Sequence, residues 1–153
     1  MIEPANWRDL GPLRTLEQIC FPKDAWPLWD LIGALTFPNM VRLKAVSGEE
    51  MVGFIAVDLR TREHAAWIAT VCVLPEQRRK GIGRALMEAV EQQIPFDTIR
   101  LCVRATNTAA QLLYRQLGYH TYEIWRQYYR DREDALVMEK IRGEGETGYN
   151  KLR

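Results

Sequence analysis

Apolar and polar positions recur along this chain with two periods, near 3.6 and near 2, and the switches between them divide it into elements. From Asn6 to Cys20, the positions Leu10, Leu13, Leu16 and Ile19 form the stripe of an amphipathic helix with Asn6 as its N-cap, although Gly11 and Pro12 lie inside it. The stretch FPKDAWP breaks this regularity, and LWDLIGAL (28–35) predicts a short second helix. MVRLKAVS (40–47) and MVGFIAVDL (51–59) read as strands around a turn at Gly48, and AAWIATVCVL (65–74) as a third strand ended by Pro75. GRALMEAVEQQI (83–94) returns to helical spacing through Ala85, Leu86, Ala89, Val90 and Gln93, and Pro95 stops it. TIRLCVR (98–104) is a short strand, and NTAAQLLYRQLG (107–118) a helix capped by Asn107 and closed by Gly118. YHTYEIWRQYY (119–129) and ALVMEKI (135–141) predict a closing hairpin around RDRED. The strand–helix–strand run over 66–103 is long enough for a parallel crossover, whereas the short turns elsewhere demand antiparallel pairs. A mixed sheet with helices on both faces follows.

Length and charge narrow the functions. A chain of 153 residues is one ordinary domain, expected over 1–142, with the glycine-rich 143–153 as a polar flexible tail. Lys and Arg number 21 against 20 Asp and Glu, a net charge of +1, which speaks against general binding to nucleic acid or an anionic membrane surface. Any anion site must be local. Cys20, Cys72 and Cys102 make no CxxC pair and no metal spacing, as expected of reduced thiols in a cytoplasmic protein without metal. The start MIEPANWRDL has early charges and no long apolar stretch, so neither a signal peptide nor a membrane span is expected.

Local positive charge is concentrated in QRRKGIG, residues 77–83, between the strand ending at Val73 and the helix after Gly83. Helix N-terminal N–H groups are unpaired and carry a partial positive charge, and glycine lets that backbone approach a phosphate. The loop lacks the G-x-x-x-x-G-K-[ST] of a Walker A motif. It also fails the G-x-G-x-x-G dinucleotide fingerprint, because Leu86 follows Gly81 and Gly83 where the third glycine belongs. The remaining pattern, Q/R-x-x-G-x-G/A between strand and helix, stands here as Gln77, Arg78, Arg79 or Lys80, Gly81, Ile82 and Gly83. It resembles the acetyl-CoA pyrophosphate loop of the GNAT acetyltransferase superfamily. On the loop alone, a glycine turn ringed by solvated cations is the competing reading.

The second half extends the resemblance. Val103, Arg104, Asn107, Ala110, Leu113, Tyr114, Leu117, Gly118 and Tyr119, followed by Tyr128, Tyr129, Asp134, Ala135 and Met138, resemble the LEVRxSN, AixLYxxLGF, YY and DAxxM pattern of bacterial ribosomal-protein-alanine and related N-terminal protein acetyltransferases. Cys20, Phe21 and Pro22, with Trp26 following, resemble the loop between that family's first two helices, so the match spans about residues 15–141. The resemblance implies the GNAT fold: an α+β chain with a central, mostly antiparallel sheet of six to seven strands flanked by about four helices. It also implies acetyl-CoA as donor substrate and a protein or peptide N-terminus as acceptor.

It further implies roles. Val71, Cys72 and Val73 would pair the pantetheine arm, and the N–H of Val73 would donate to the oxyanion. Arg78, Arg79, Lys80, Gly81, Ile82, Gly83 and Arg84 would cradle the pyrophosphate, and Asn107 would contact the arm. Tyr114 would be the general acid toward the departing thiolate, as a phenol near pKa 10 can be; as an isolated tyrosine it would read as helix packing. Trp26, Tyr128 and Tyr129 would line the acceptor groove, or else pack as ordinary aromatics.

One position departs from the pattern. The usual base is a Glu just before the Val-Arg of that strand, and here it is Cys102. A thiol near 8.5, raised further by burial, is a poor base; Cys102 reads as a small core residue or as a covalent acetyl carrier. His64 would sit ~30 Å from the thioester along its strand, so Asp24 or a water relay is the better candidate. The loss matters less for an α-amine: with a pKa near 8 against ~10.4 for lysine, its neutral fraction at pH 7 is about 250-fold larger. Acetylation of a small-molecule amine, and a catalytically lapsed acyl-CoA-binding module, are the alternatives.

Overall fold

The computed structural model describes residues 1–143, so the predicted tail lies outside the described residues except for Gly143. The strands form a seven-stranded, mostly antiparallel sheet with four α-helices. The described residues group into two compact units, the first of Met1–Leu59 and Ile68–Ile94, the second of Arg60–Trp67 and the described residues from Pro95 onward.

In the first unit β1 (Ile2–Pro4) pairs antiparallel with β2 (Met40–Ser47), and β2 with β3 (Glu50–Arg60), in register Ile2↔Ala45 and Leu43↔Ile55. β1 was not expected: three residues are too few for a period to show. The β2–β3 turn places Gly48 at φ +63, a conformation glycine adopts without strain. The predicted first helix begins as a 3-10 turn, Trp7–Asp9, and becomes α1 only over Leu10–Cys20. The reason is at the cap. Asn6 Oδ1 accepts from Arg8 N at 2.9 Å and Asp9 Oδ2 accepts from Asn6 N at 2.9 Å, a reciprocal pair that closes the first turn early. Pro12 then falls in the first turn of α1, where a missing N–H costs nothing.

The buried stripe of α1 is Leu13, Leu16 and Glu17, and Ile19 stays 49% exposed, which corrects the stripe read from the sequence. α2 (Leu28–Thr36) buries Leu31, Ala34 and Leu35. α3 (Ile82–Glu91) ends three residues before the Ile94 expected, burying Leu86, Met87 and Val90. It lies close over β3: a Cβ on Gly53 would stand 3.0 Å from Leu86 Cδ1 and 3.2 Å from the carbonyl oxygen of Cys72 in β4 (Ala65–Val73). Glycine at 53 is what permits that approach.

In the second unit β7 (Ala135–Ile141) pairs antiparallel with both β5 (Thr98–Arg104) and β6 (His120–Trp125). Alternate residues Ile99, Leu101 and Val103 are buried, and Leu101 stands opposite the buried Met138 of β7. α4 (Thr108–Gln116) begins at Asn107, whose Oδ1 accepts from Ala110 N at 3.2 Å, and ends before Gly118 at φ +98.

The last predicted strand is too long: β6 stops at Trp125, and Tyr128 and Tyr129 belong to a loop. Asp134 causes the break. Its carboxylate accepts from Gln127 N at 2.9 Å and from Arg126 Nη1 at 3.0 Å, holding Gln127 at φ +50. Among the described residues no helix is long and apolar enough to cross a membrane.

Candidate active site

In the first unit the residues QRRKGIG run from a short turn after β4 into the start of α3. Pro75–Gln77 form a 3-10 turn, Arg79 takes φ +64, and Gly81 takes φ +82 immediately before α3. Gly81 has no side chain to cap α3, and the bond from Ala85 N to Gly81 O, 3.0 Å, opens the helix. A Cβ at Gly81 would meet nothing within 4 Å, so the space over this backbone is open. Open space, a helix start without a side-chain cap and the nearby cations fit a diphosphate. The cations divide their work. Arg78 turns back and donates through Nε to Val73 O at 3.0 Å, Lys80 reaches Gln77 Oε1 at 3.3 Å, and Arg84 lies 3.7 Å from Glu88.

Val71 and Val73 are partly exposed at the end of β4, and Cys72 between them is 4% exposed, facing the core. The carbonyl of Val73 accepts a second bond, from Cys20 Sγ at 3.4 Å. Behind Cys20, one helical turn earlier, lies a residue that the sequence reading passed over: Glu17 is 1% exposed, and neither carboxylate oxygen has a hydrogen-bond partner. Burial, then the charges of Cys20 and Asp24, raise its pKa to about 7. The signal was present in the sequence, because a carboxylate at i+4 from Leu13 sits on the buried stripe.

The Cys20 thiol is lowered to about 7, first by its hydrogen bond with the Cys72 thiol and then, against the effect of burial, by Arg78; Glu76 opposes. Cys72 is pushed up by the same hydrogen bond, by burial and by the charges of Cys20 and Glu17. Asp24 lies in the turn after α1, its N–H bonded to Phe21 O at 3.1 Å, and Trp26 is partly exposed in the same loop.

In the second unit Cys102 occupies a partly exposed position on β5, and burial pushes its thiol up to about 11 against the pull of Arg60. At neutral pH it is fully protonated and cannot take a proton from an amine. Tyr114 on α4 is 7% exposed, its ring edge-on to Tyr119 at 6.1 Å. Gln111, also missed in the sequence, fixes α4 to the end of β5 by donating to Arg104 O at 3.0 Å and Ala105 O at 2.9 Å. The oxygen of Asn107 is engaged in capping α4.

Tyr128 and Tyr129 sit edge to face at 5.1 Å, and Trp125 and Trp67 continue the aromatic row from Tyr128. Arg104 lies 4.1 Å over the Tyr129 ring and binds Asp131 and Glu133 at 2.9 and 2.6 Å, so its charge is compensated where it supports the tyrosine. Glu133 is held below the usual carboxylate range, first by its bond from Thr106.

The model of the acetyltransferase (GNAT) family matches residues 9–119. An N-alpha-acetyltransferase of Sulfurisphaera tokodaii is 37% identical over 151 residues, 90% of each chain. The ribosomal protein bS18-alanine N-acetyltransferase of Escherichia coli is 39% identical over 79 residues, 48% of this chain and 53% of the relative. The crystal structure of the ribosomal-protein-S18-alanine N-acetyltransferase from Escherichia coli superposes with a TM-score of 0.84 at 27% identity, covering 92% of each chain.

Proposed function

Since the chain belongs to the acetyltransferase (GNAT) family, we propose that it transfers the acetyl group of acetyl-CoA to the N-terminal α-amine of a protein. The observation that carries this is the open N-terminus of α3 behind Gly81, with Arg79, Lys80 and Arg84 around it, directly after β4. The names of the relatives, an N-alpha-acetyltransferase and an alanine N-acetyltransferase, support the α-amine as acceptor.

In this reading Gly81, Ile82, Gly83 and the neighbouring cations hold the diphosphate of the donor. The backbone of Val71–Val73 aligns its arm, and the Val73 N–H donates to the carbonyl oxygen as negative charge develops there. Tyr114 protonates the leaving thiolate, and Asn107 contacts the arm through the amide nitrogen that capping leaves over. Trp26, Tyr128 and Tyr129 orient the acceptor, and Asp24, directly or through water, accepts its proton. An α-amine is partly neutral before it binds, which suits a chain with a protonated thiol where a carboxylate base is usual.

The high thiol pKa at Cys102 also favours a second reading, an acyl-CoA-binding module without turnover. One measurement separates the two: initial rates of acetyl transfer to short peptides beginning Ala, Ser, Met or Gly, each beside its N-terminally blocked twin. Transfer to the free peptides alone is expected. Absence of transfer with CoA binding intact would overturn the enzyme reading.

A further inference from the structure

Two thiols in the first unit meet across α1 and β4, and the acetyl-transfer chemistry uses neither. Cys20 ends α1 with its sulfur 3.4 Å from the carbonyl oxygen of Val73, the residue next to Cys72 on β4, and the Cys72 thiol acts on it more strongly than any other group. Their surroundings differ. Cys20 is partly exposed, whereas Cys72 is 4% exposed behind it. Glu17 lies one turn before Cys20, buried to 1% exposure with both oxygens unpartnered; its charge acts on the Cys72 thiol, and the charge of Cys20 acts on it. Arg78 and Glu76 face Cys20 from the segment after β4, and Asp24 stands near Glu17 from the turn after α1.

We infer that Cys20 is a modification site: its thiolate exchanges with low-molecular-weight disulfides, Cys72 resolves the adduct into a Cys20–Cys72 disulfide, and Glu17 takes the proton of the resolving thiol. The first step forms a bond from Cys20 sulfur to one sulfur of R–S–S–R. The S–S bond of the reagent breaks, and RS⁻ leaves and is protonated by water. In the second step the Cys72 proton passes to the Glu17 carboxylate, the Cys72 sulfur attacks the Cys20 sulfur, and the second RS⁻ departs. One reagent disulfide is reduced to two thiols and two protein thiols are oxidised to one disulfide, so no further oxidant is needed. An accessible, acidified thiol backed by a second thiol is the arrangement such exchange requires.

The rate contrast can be set from the thiols themselves. At pH 7 a thiol of pKa about 7 is half ionised, and one of about 11 is ionised to roughly one part in ten thousand. Intrinsic nucleophilicity falls with pKa by about half a log unit per unit, returning about two of those decades, so Cys20 should outpace Cys102 about 50-fold.

The test treats the full chain with oxidised glutathione from pH 6 to 9, quenches with an alkylating reagent, and reads intact mass and peptide maps. The wild-type chain is expected to form the Cys20–Cys72 disulfide with Cys102 still reduced, at a rate that rises through about pH 7 and then levels. Cys72→Ser should stop at one glutathione on Cys20. Cys20→Ser should leave Cys72 reduced over the same time. Glu17→Gln should form the adduct normally but close to the disulfide more slowly. Cys102 reacting as fast as Cys20 in the wild-type chain, or a glutathione adduct on Cys20 that never resolves, would overturn the inference even if the variants fail to fold. Because the readout is thiol chemistry, failure of the acetyltransferase reading leaves it untouched. If that reading holds, the disulfide ties α1 to the strand end expected to align the donor, and transfer should be lost on oxidation and recovered with dithiothreitol.

Discussion

Replacing Glu17 with Gln should change stability by an amount that depends on pH in one direction only. Glu17 is buried without partners, and its pKa rises from an ordinary 4.5 to about 7. Between those values the unfolded chain has released the proton and the folded chain has kept it. The unfolded state therefore binds fewer protons, and stability falls as pH rises through this window. Below about 4.5 both states are protonated and the penalty is absent; above about 7 it is complete. A rise from 4.5 to about 7, at ~1.4 kcal/mol per pH unit, comes to about 3 kcal/mol. Glutamine fills the same volume and never ionises, so it escapes this loss. Urea unfolding of both proteins at pH 4, 5, 6 and 7.5 should show the Gln variant gaining about 3 kcal/mol on the wild type across the series, ~6–12 °C in Tm for a chain of this size. Other groups, such as Glu133 and Asp134 with their lowered pKa values, cancel in the difference because both proteins carry them. A stability difference that stays flat from pH 4 to 7.5 would refute the reasoning and mean that Glu17 is ionised and solvated in the fold.

With Tyr114 as the proposed proton donor, Tyr114→Phe should lower kcat by ~10²–10⁴ with little change in the KM for acetyl-CoA; steady-state kinetics would show it. Cys102→Ala should leave the pH profile of kcat/KM unchanged between pH 6 and 9, because a thiol at about 11 does not titrate there. Gly81→Ala should cost ~1 kcal/mol in urea unfolding, all of it from φ +82, since a Cβ there meets no neighbour within 4 Å. Asn107→Ala should cost ~1 kcal/mol through the lost bond to Ala110 N, read the same way.

Most of the fold was legible because its elements advertise themselves by period. β3, β4, β5 and β7 stand where alternation and β-branched residues put them, and α4 lies between Asn107 and Gly118 as its cap and stop predict. What was missed depends on side chains that bond across the chain. Asp134 ends β6 four residues before the aromatic run ends by accepting from Gln127 N and Arg126, and no local propensity of RQYY reveals that partner. Asn6 was read as a cap, but the 3-10 turn that Asp9 closes with it was not, because the pair specifies one tight turn rather than a helix. β1 owes its existence to β2, with which it pairs, and three residues carry no pattern of their own.

The candidate site divides along the same line. Gly81, Gly83 and the cations before them are legible because spacing alone sets where a helix N-terminus falls, and α3 begins at Ile82. Cys102 stands out because a familiar carboxylate is missing, and burial then explains why its thiol does not replace it. The group formed by Glu17, Cys20 and Cys72 is different. Each of the three looks like ordinary packing in its own segment, and Cys72 is more than fifty residues from Cys20. Only the docking of α1 on β4 makes one thiol acidic and the other reluctant to ionise, and burial, joined by the charges of Cys20 and Asp24, holds the carboxylate beside them near 7. Helical spacing puts Glu17 on the buried stripe of α1, but the desolvation that brings its pKa near 7 depends on what packs over that stripe. The chemistry of this group is thus a product of tertiary packing, and it should disappear, in thiol reactivity and in the pH dependence of stability together, when the chain unfolds.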